Sequence, residues 1–302
     1  MQSTEKLVAF CREQNIPLCL NEPMKNYTSF KIGGNAELII KPSSAAKLQA
    51  LFFFCASEGF SPLIVGNGSN LLVCDNAIKR PIVQLGSGMG KISISGDEVA
   101  CEAGTSLVKL CGFAEQNSLE GLEFAYGIPG SVGGAVYMNA GAYGGEIGNT
   151  VYSVSAVSPQ GKPCIFTAQE CKFSYRHSIF AENGYCVTSA IFKLKKGNRE
   201  AIKAKMTELM ARRSDKQPLE YPSAGSTFKR PQDGYASELI DRCGLKGKQY
   251  GGAMVSQKHA GFIINYKDAT CDDVLELIRL VQDEVKQKTG VSLECEVKYI
   301  DA

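Results

Sequence analysis

The stretch "GLEFAYGIPGSVGGAVYMNAGAYGGEIGN", residues 121 to 149, limits what the chain can fold into more than any other. It holds nine glycines in 29 residues, at 121, 127, 130, 133, 134, 141, 144, 145 and 148. Inside a helix or strand each glycine costs about 1 kcal/mol relative to alanine, so a regular core element would not carry this many. A flexible linker would not carry Ile128, Val132, Met138 and the tyrosines Tyr126, Tyr137 and Tyr143. Close approach of backbone to a large flat ligand bearing a pyrophosphate accounts for both features.

A second loop points the same way. In "PLIVGNGSNLLV" (62 to 73) an apolar strand runs into Gly66-Asn67-Gly68-Ser69-Asn70 and a second apolar run follows at once. Successive backbone N–H groups in such a loop converge on an anion, and Ser69 and Asn70 add side-chain donors. A hairpin turn, which Asn-Gly favours by itself, is the competing account. The loop leads to a strand and not a helix, so it is no Rossmann fingerprint. "LGSGMGKI" (85 to 92) fails as a P-loop, because Ile92 follows Lys91 where Ser or Thr is required. It reads as a surface turn.

Elsewhere the apolar runs mark short strands at 36–42, 62–65, 81–85, 98–104, 151–159 and 185–194. Helices are expected from Ser43 and from Thr105, with a short amphipathic one at the N-terminus. After a shift in composition at "KKGNRE" (195 to 200), a helix runs to Pro218. A short helix near "GYASELIDRC", strands at "AMVS" and "GFIINY", and a long helix from Asp272 to Gly290 follow. In that last helix Val274, Leu275, Ile278, Val281 and Val285 form the apolar face. "SLECEVKYI" is read as one closing strand, with Glu294 and Glu296 on its solvent side. The order is α+β, with a larger N-terminal domain to residue 196 and a smaller α+β domain over 197–302.

A net charge of +2 in 302 residues gives no reason to expect nucleic acid or anionic lipid as a partner. The N-terminus lacks the apolar core of a signal peptide, and a cytoplasmic protein is expected. Twelve cysteines, none in a Cys-x-x-Cys pair, read as reduced structural thiols. His177 and His259 are the only histidines and have no companion at ligand spacing, so no metal is expected.

"NYTSFKIGGNAEL", "GNGSNLL", "GIPGSVGGAVYMNAGAYG", "YRHSIF", "AGSTFKRP" and "LECEVKYI" resemble, in order, segments of UDP-N-acetylenolpyruvoylglucosamine reductases. The resemblance runs from about residue 26 to 300. It implies an FAD-binding fold of the vanillyl-alcohol-oxidase type over 1–196, in two α+β subdomains, then a substrate-binding domain. The short spacing from "YRHSIF" to "YCVTSAIFKL" resembles the subtype that lacks a tyrosine-bearing substrate loop. The resemblance further implies bound FAD, transient NADPH, a UDP-sugar substrate and a monomer. By it, Thr28, Gly66, Asn67, Gly68, Ser69 and Asn70 meet the pyrophosphate side of FAD. Gly127, Ile128, Pro129, Gly130, Ser131, Gly133 and Gly134 meet the flavin side, with Ala140 and Gly141 nearby.

The same resemblance gives Arg176, Ser226 and Glu296 catalytic roles. Reduction of an enolpyruvyl ether passes through a carboxylate-stabilised carbanion, whose charge is best met by preorganised cations and donors. Arg176 and Glu296 are expected to stabilise it, and Ser226 to deliver the proton. Without the resemblance, Arg176 reads equally well as a surface ion-pair partner, Glu296 as a solvated strand residue and Ser226 as a turn serine. A glutamate beside an enolate helps only if protonated or in a relay, so burial is expected to raise its pKa. Ser226 has no histidine base nearby and needs none as a proton donor. Lys229 either polarises its hydroxyl or holds substrate phosphate. Lys216 matches a family substrate lysine, and Tyr175, Arg230 and His259 are further substrate candidates. Arg230 stands where many members have asparagine, and Lys298 where arginine is usual; a lysine cannot make the bidentate fork. A different flavin oxidase and a nucleotide-sugar-binding regulator are the competing functions.

Overall fold

A computed structural model describes residues 2–232 and 234–302. Short polar caps and apolar runs set its elements. α1 (Gln2–Glu13) buries Leu7 and Cys11. Ser44 and Ser106 accept backbone N–H bonds at 3.3 Å and open α2 (Ala45–Ser57) and α3 (Leu107–Gln116). The chain forms two compact units, each assembled from three separate stretches.

The first unit is Met1–Leu20, Leu38–Asn67 and Arg80–Ala211. One sheet has the order β1 (Leu18–Pro23), β2 (Asn35–Ile40), β5 (Ile82–Gln84), β3 (Leu63–Val65), and β5 pairs parallel with both β2 and β3. A five-stranded antiparallel sheet follows the order β12 (Pro163–Thr167), β11 (Val151–Val157), β13 (Cys186–Lys193), β7 (Glu98–Glu102), β6 (Ile92–Ser95). Against it lies α4 (Val132–Tyr137), touching β13 and β7. Two small pairs complete the unit: β8 (Leu119–Glu120) with β14 (Lys195–Lys196), and β9 (Gly141–Ala142) with β10 (Gly145–Glu146). Between the 174–177 turn and β13 the chain makes only the one-turn helix α5 (Phe180–Asn183), leaving no inserted loop. The core runs from Leu38, Leu48 and Leu51 through Val99, Leu110 and Val136 to Val154, Phe180 and Phe192.

The second unit is Asn21–Glu37, Gly68–Lys79 and Arg212–Ala302. Its three-stranded sheet is β15 (Gln249–Tyr250), β16 (Ala253–Val255), β17 (Ile263–Asn265), covered by α7 (Ala236–Arg242) and α8 (Cys271–Thr289). β4 (Leu71–Val73) pairs in parallel with β18 (Lys298–Ile300). Phe30, Ile32, Leu72, Phe228, Ile240, Val255, Ile263 and the inner face of α8 share one core.

Three expectations need correction. A single cut after residue 196 does not separate the units, because 21–37 and 68–79 belong with the C-terminal part and α6 (Arg199–Lys216) crosses the boundary. On α8 the buried positions are Cys271, Val274, Leu277, Ile278, Val281 and Val285; Leu277 joins the expected face, and Leu275 is only partly buried against the same core. The closing strand is only Lys298–Ile300; before it, Cys295 bridges Phe228 and the backbone turns Glu296 inward. All twelve cysteines are free, eight of them buried, and burial pushes Cys11 to about 11 and Cys55 to about 12. No helix among the described residues is long and apolar enough to cross a membrane.

Candidate active site

In the first unit, β3 delivers the chain to Gly66. β3 pairs with β5 whereas β4 pairs with β18, so the loop between them is not a hairpin turn. A Cβ at Gly66 would fall 2.3 Å from Ser131 Oγ, so only glycine lets this loop meet the second glycine-rich segment. Ser131 caps α4 through Gly134 N at 3.4 Å, and Val132 N donates to Thr105 O at 2.8 Å. That segment has two faces. Val132, Gly133, Ala135 and Val136 are buried, and a Cβ on Gly133 would stand 2.9 Å from Ala103 Cβ. Gly133 therefore packs closely against Ala103. Gly127, Ile128, Pro129, Gly130 and Gly134 stay partly or fully open, and a Cβ on Gly134 would meet only Ser131 Oγ, at 3.5 Å. An open glycine face beside a cradle that a Cβ would fill fits a flat ring with an attached pyrophosphate.

Several other glycines of the stretch serve packing alone. Cβ atoms on Gly145 and Gly148 would collide with the rings of Phe124 and Phe173 at 2.5 and 2.7 Å. Buried Ala140 accepts from Ile147 N at 3.0 Å and leads into the β9–β10 pair. The Arg176 guanidinium donates from Nη1 to Gly141 O at 3.3 Å, and its Cζ lies 5.3 Å from the centre of the exposed Tyr175 ring. Both residues form the tip of a tight turn closed by reciprocal Ser174–His177 backbone bonds of 3.1 Å, with Arg176 at φ 54°.

In the second unit, Gly68 has φ 61°, and a Cβ there would fall 1.9 Å from Tyr27 O. Ser29 N donates to Gly68 O at 3.2 Å. Buried Thr28 spends its hydroxyl proton on Ile32 O at 3.1 Å, which leaves it shaping the turn. Ser69 and Asn70 form the turn into β4. Asn70 reaches the far end of the chain, its Nδ2 donating to Glu296 O at 3.1 Å and its carbonyl accepting from Lys298 N at 2.9 Å.

Ser226 is half-buried and follows Gly225, whose φ is 79°. Its neighbour Thr227 fixes the segment from both sides. Thr227 N donates to Gly261 O (2.8 Å) and Oγ1 accepts from Ile263 N (3.0 Å), while Thr227 O accepts from Glu296 N (2.8 Å). Ser226 and Glu296 therefore stand on neighbouring, directly bonded backbones. Glu296 is 8% exposed whereas Glu294 has 72% of its side chain in solvent, which overturns the shared solvent face expected of them. The expected strand continuity fails because this segment is held by one isolated bridge, Cys295–Phe228, whose bonds are Glu296 N to Thr227 O and Lys229 N to Glu294 O, and by no ladder beyond it. Thr227 is the anchoring position the sequence did not single out; its place beside Ser226 was the available sign.

Of the substrate candidates, Lys229 pairs with Glu294 and Arg230 stacks 4.5 Å from the centre of the Tyr235 ring. Lys216 is exposed at the end of α6. His259 Nδ1 accepts from Gly261 N at 3.2 Å, which puts the proton of the neutral ring on Nε2. Burial holds this histidine below its ordinary pKa; its own backbone hydrogen bond opposes that, and the charges of Lys246 and Lys216 add to it. Among the described residues no three His, Cys, Asp or Glu side chains gather where a metal ion could bind.

The chain is similar to known proteins along most of its length. Residues 217–300 match the family model described as UDP-N-acetylenolpyruvoylglucosamine reductase, C-terminal domain, and residues 36–166 match an FAD binding domain. Curated proteins named UDP-N-acetylenolpyruvoylglucosamine reductase are 47% identical in Syntrophomonas wolfei (93% of this chain, 94% of that protein) and 48% in Caldanaerobacter subterraneus (94% and 93%). The crystal structure of the reductase from Thermus caldophilus superposes with a TM-score of 0.81 at 34% identity, covering 94% of this chain and 98% of that one.

Proposed function

The chain belongs to the UDP-N-acetylenolpyruvoylglucosamine reductase family, and from that premise we propose how its residues carry the reaction. It is an FAD-dependent oxidoreductase of peptidoglycan synthesis that uses NADPH. Its substrate is UDP-N-acetylglucosamine enolpyruvate and its product UDP-N-acetylmuramate. Held by the glycine-rich loops, FAD would supply the two-electron chemistry, with reducing equivalents from NADPH delivered as hydride to the enolpyruvyl carbon beta to the carboxylate.

The protein's own groups handle charge and proton. Ser226 Oγ gives its proton to the alpha carbon, and the fixed Thr227 backbone holds it in line for that transfer. Arg176 supplies a guanidinium to the developing enolate, and Glu296 a carboxyl held out of water. Gly66, Asn67, Gly68, Ser69 and Asn70 hold the pyrophosphate of FAD. Gly127, Ile128, Pro129, Gly130, Ser131 and Gly134, with Ala140 and Gly141, line the flavin. His259, through Nε2–H, and Lys216 bind the substrate diphosphate, while Tyr175, Lys229 and Arg230 border the substrate. The reaction runs in the cytoplasm, where NADPH and the nucleotide sugar are dissolved. The enzyme acts as a monomer, and its net charge of +2 offers nothing to attract nucleic acid or anionic membrane.

The observation that carries this assignment is the Glu296–Thr227 bond, which sets the buried glutamate beside the serine. Stopped-flow absorbance of the yellow holoprotein tests it. NADPH bleaches the flavin, and the enolpyruvyl substrate restores the colour without oxygen; failure of the second step would sink the function. Ser226→Ala slows reoxidation by about 10²-fold or more and leaves reduction by NADPH nearly intact. An equal fall in both half-reactions would make Ser226 a cofactor-positioning residue.

A further inference from the structure

Asn139 is 1% exposed and holds the left-handed backbone at φ 45°. Its side chain is fully engaged by three parts of one loop system. Nδ2 donates to Ser174 O at 3.0 Å and to Glu146 Oε2 at 2.9 Å, and Oδ1 accepts from Gly148 N at 2.8 Å. Ser174 opens the turn that carries Arg176, and Glu146 ends the β9–β10 pair. The second partner of that turn is Gly141, whose carbonyl takes the Arg176 Nη1 proton at 3.3 Å. A Cβ on Gly141 would meet Glu146 Cγ at 3.0 Å and Arg176 Nη1 at 3.5 Å, so carboxylate stem and guanidinium flank the same glycine.

Arg176 holds a left-handed backbone that a non-glycine residue keeps only where its surroundings impose it. Those surroundings include a single amide that grips the turn at Ser174 and the flavin-side loop at Glu146 and Gly148. We propose that Asn139 is the positioning residue for Arg176, fixing the guanidinium against the Gly141 loop so that it meets the enolate preorganised. This rests on the proposed catalytic role of Arg176. Asparagine suits the post because it alone of the small polar side chains donates twice and accepts at once. Aspartate of the same shape would set a carboxylate against Glu146 and against a carbonyl.

Stopped-flow half-reactions of the holoenzyme decide the matter. Asn139→Ala is expected to slow reoxidation by substrate about 10²-fold, the cost of a misplaced catalytic group, with NADPH reduction changed less than about threefold. If Asn139 works through the arginine, Asn139→Ala/Arg176→Ala reoxidises no more slowly than Arg176→Ala alone. Asn139→Asp is expected to be slow at neutral pH and to regain rate on acidification to about pH 5.5, as the introduced carboxyl and Glu146 share one proton. A wild-type reoxidation rate in Arg176→Ala would remove the underlying catalytic role, whatever Asn139 does. A slow Arg176→Ala with a normal Asn139→Ala, or additive losses in the double variant, would overturn the positioning role alone. Should Asn139→Ala not fold with flavin bound, Asn139→Asp decides by itself, and absence of recovery in acid would overturn the proposal.

Discussion

Gly133 and Gly134 are adjacent and lack side chains for opposite reasons. Gly133 backs onto Ala103 at a hypothetical 2.9 Å, and Gly134 looks outward with only Ser131 Oγ at 3.5 Å. Gly133→Ala overpacks the joint between α4 and the sheet and is expected to lower stability by about 1–3 kcal/mol. Gly134→Ala does the reverse. Relieved of glycine's helix penalty, the flavin-free protein gains up to about 1 kcal/mol, while the added methyl on the open face weakens flavin retention. Thermal melts of flavin-free protein and fluorescence titration with FAD separate the two, and equal behaviour of the pair would remove the two-faced description of α4. The sequence showed the density of glycine here but not this division, which depends on the distant Ala103.

At the level of elements, helices were legible where caps and periodicity agree. α8 is the clearest: Thr270 accepts from Asp273 N at 3.1 Å, Asp273 accepts from Thr270 N at 3.0 Å, and Gly290 ends the helix at φ 77°. Burial tends to raise the Asp273 pKa, but bonds from Gly252 N, Thr270 N and the Thr270 hydroxyl outweigh it and hold the carboxyl below its usual range. Its folded pKa being depressed, the carboxylate stabilises the fold above the unfolded value near ~3.9, and that contribution fades as pH falls through the folded value. Thr270→Ala is expected to cost about 1 kcal/mol at pH 7. In Asp273→Asn the deficit against the parent shrinks as acid is added, which paired melts at neutral and acid pH would register. The segment 292–297 was misread as strand because its alternation is real in sequence, while its backbone makes one isolated bridge, through Glu296 N to Thr227 O and Lys229 N to Glu294 O, and no continuing ladder.

For the molecule as a whole, the α+β class and the order of elements were readable from local pattern, but the membership of the two units was not. Segments 21–37 and 68–79 join residues far away in sequence, through contacts such as Cys271 N to Asp75 Oδ2 at 2.7 Å, 196 positions apart, and Asn265 Nδ2 to Phe30 O at 3.2 Å, 235 apart. No local propensity encodes such pairings. Removing Lys298–Ala302 deprives β4 of its partner, Asn70 O of the Lys298 N donor and Cys74 N of the Ile300 O acceptor. At about 1 kcal/mol for each lost bond, the truncated protein is expected to melt earlier and purify with little flavin. A yellow, normally melting product would show that the β4–β18 pair is dispensable.

The pairing of β4 with β18 also dictates when the enzyme can come into being. Residues 71–73 leave the ribosome long before residues 298–300, and at about 5–20 residues per second the wait is on the order of ten to fifty seconds. Throughout that interval Leu71, Leu72 and Val73 form an apolar segment without its parallel partner, open to pairing with another nascent chain. Asn70, which must hold Glu296, has nothing to hold until the same moment. Translation speed between these two segments thus bears on how much active enzyme a cell obtains from each transcript.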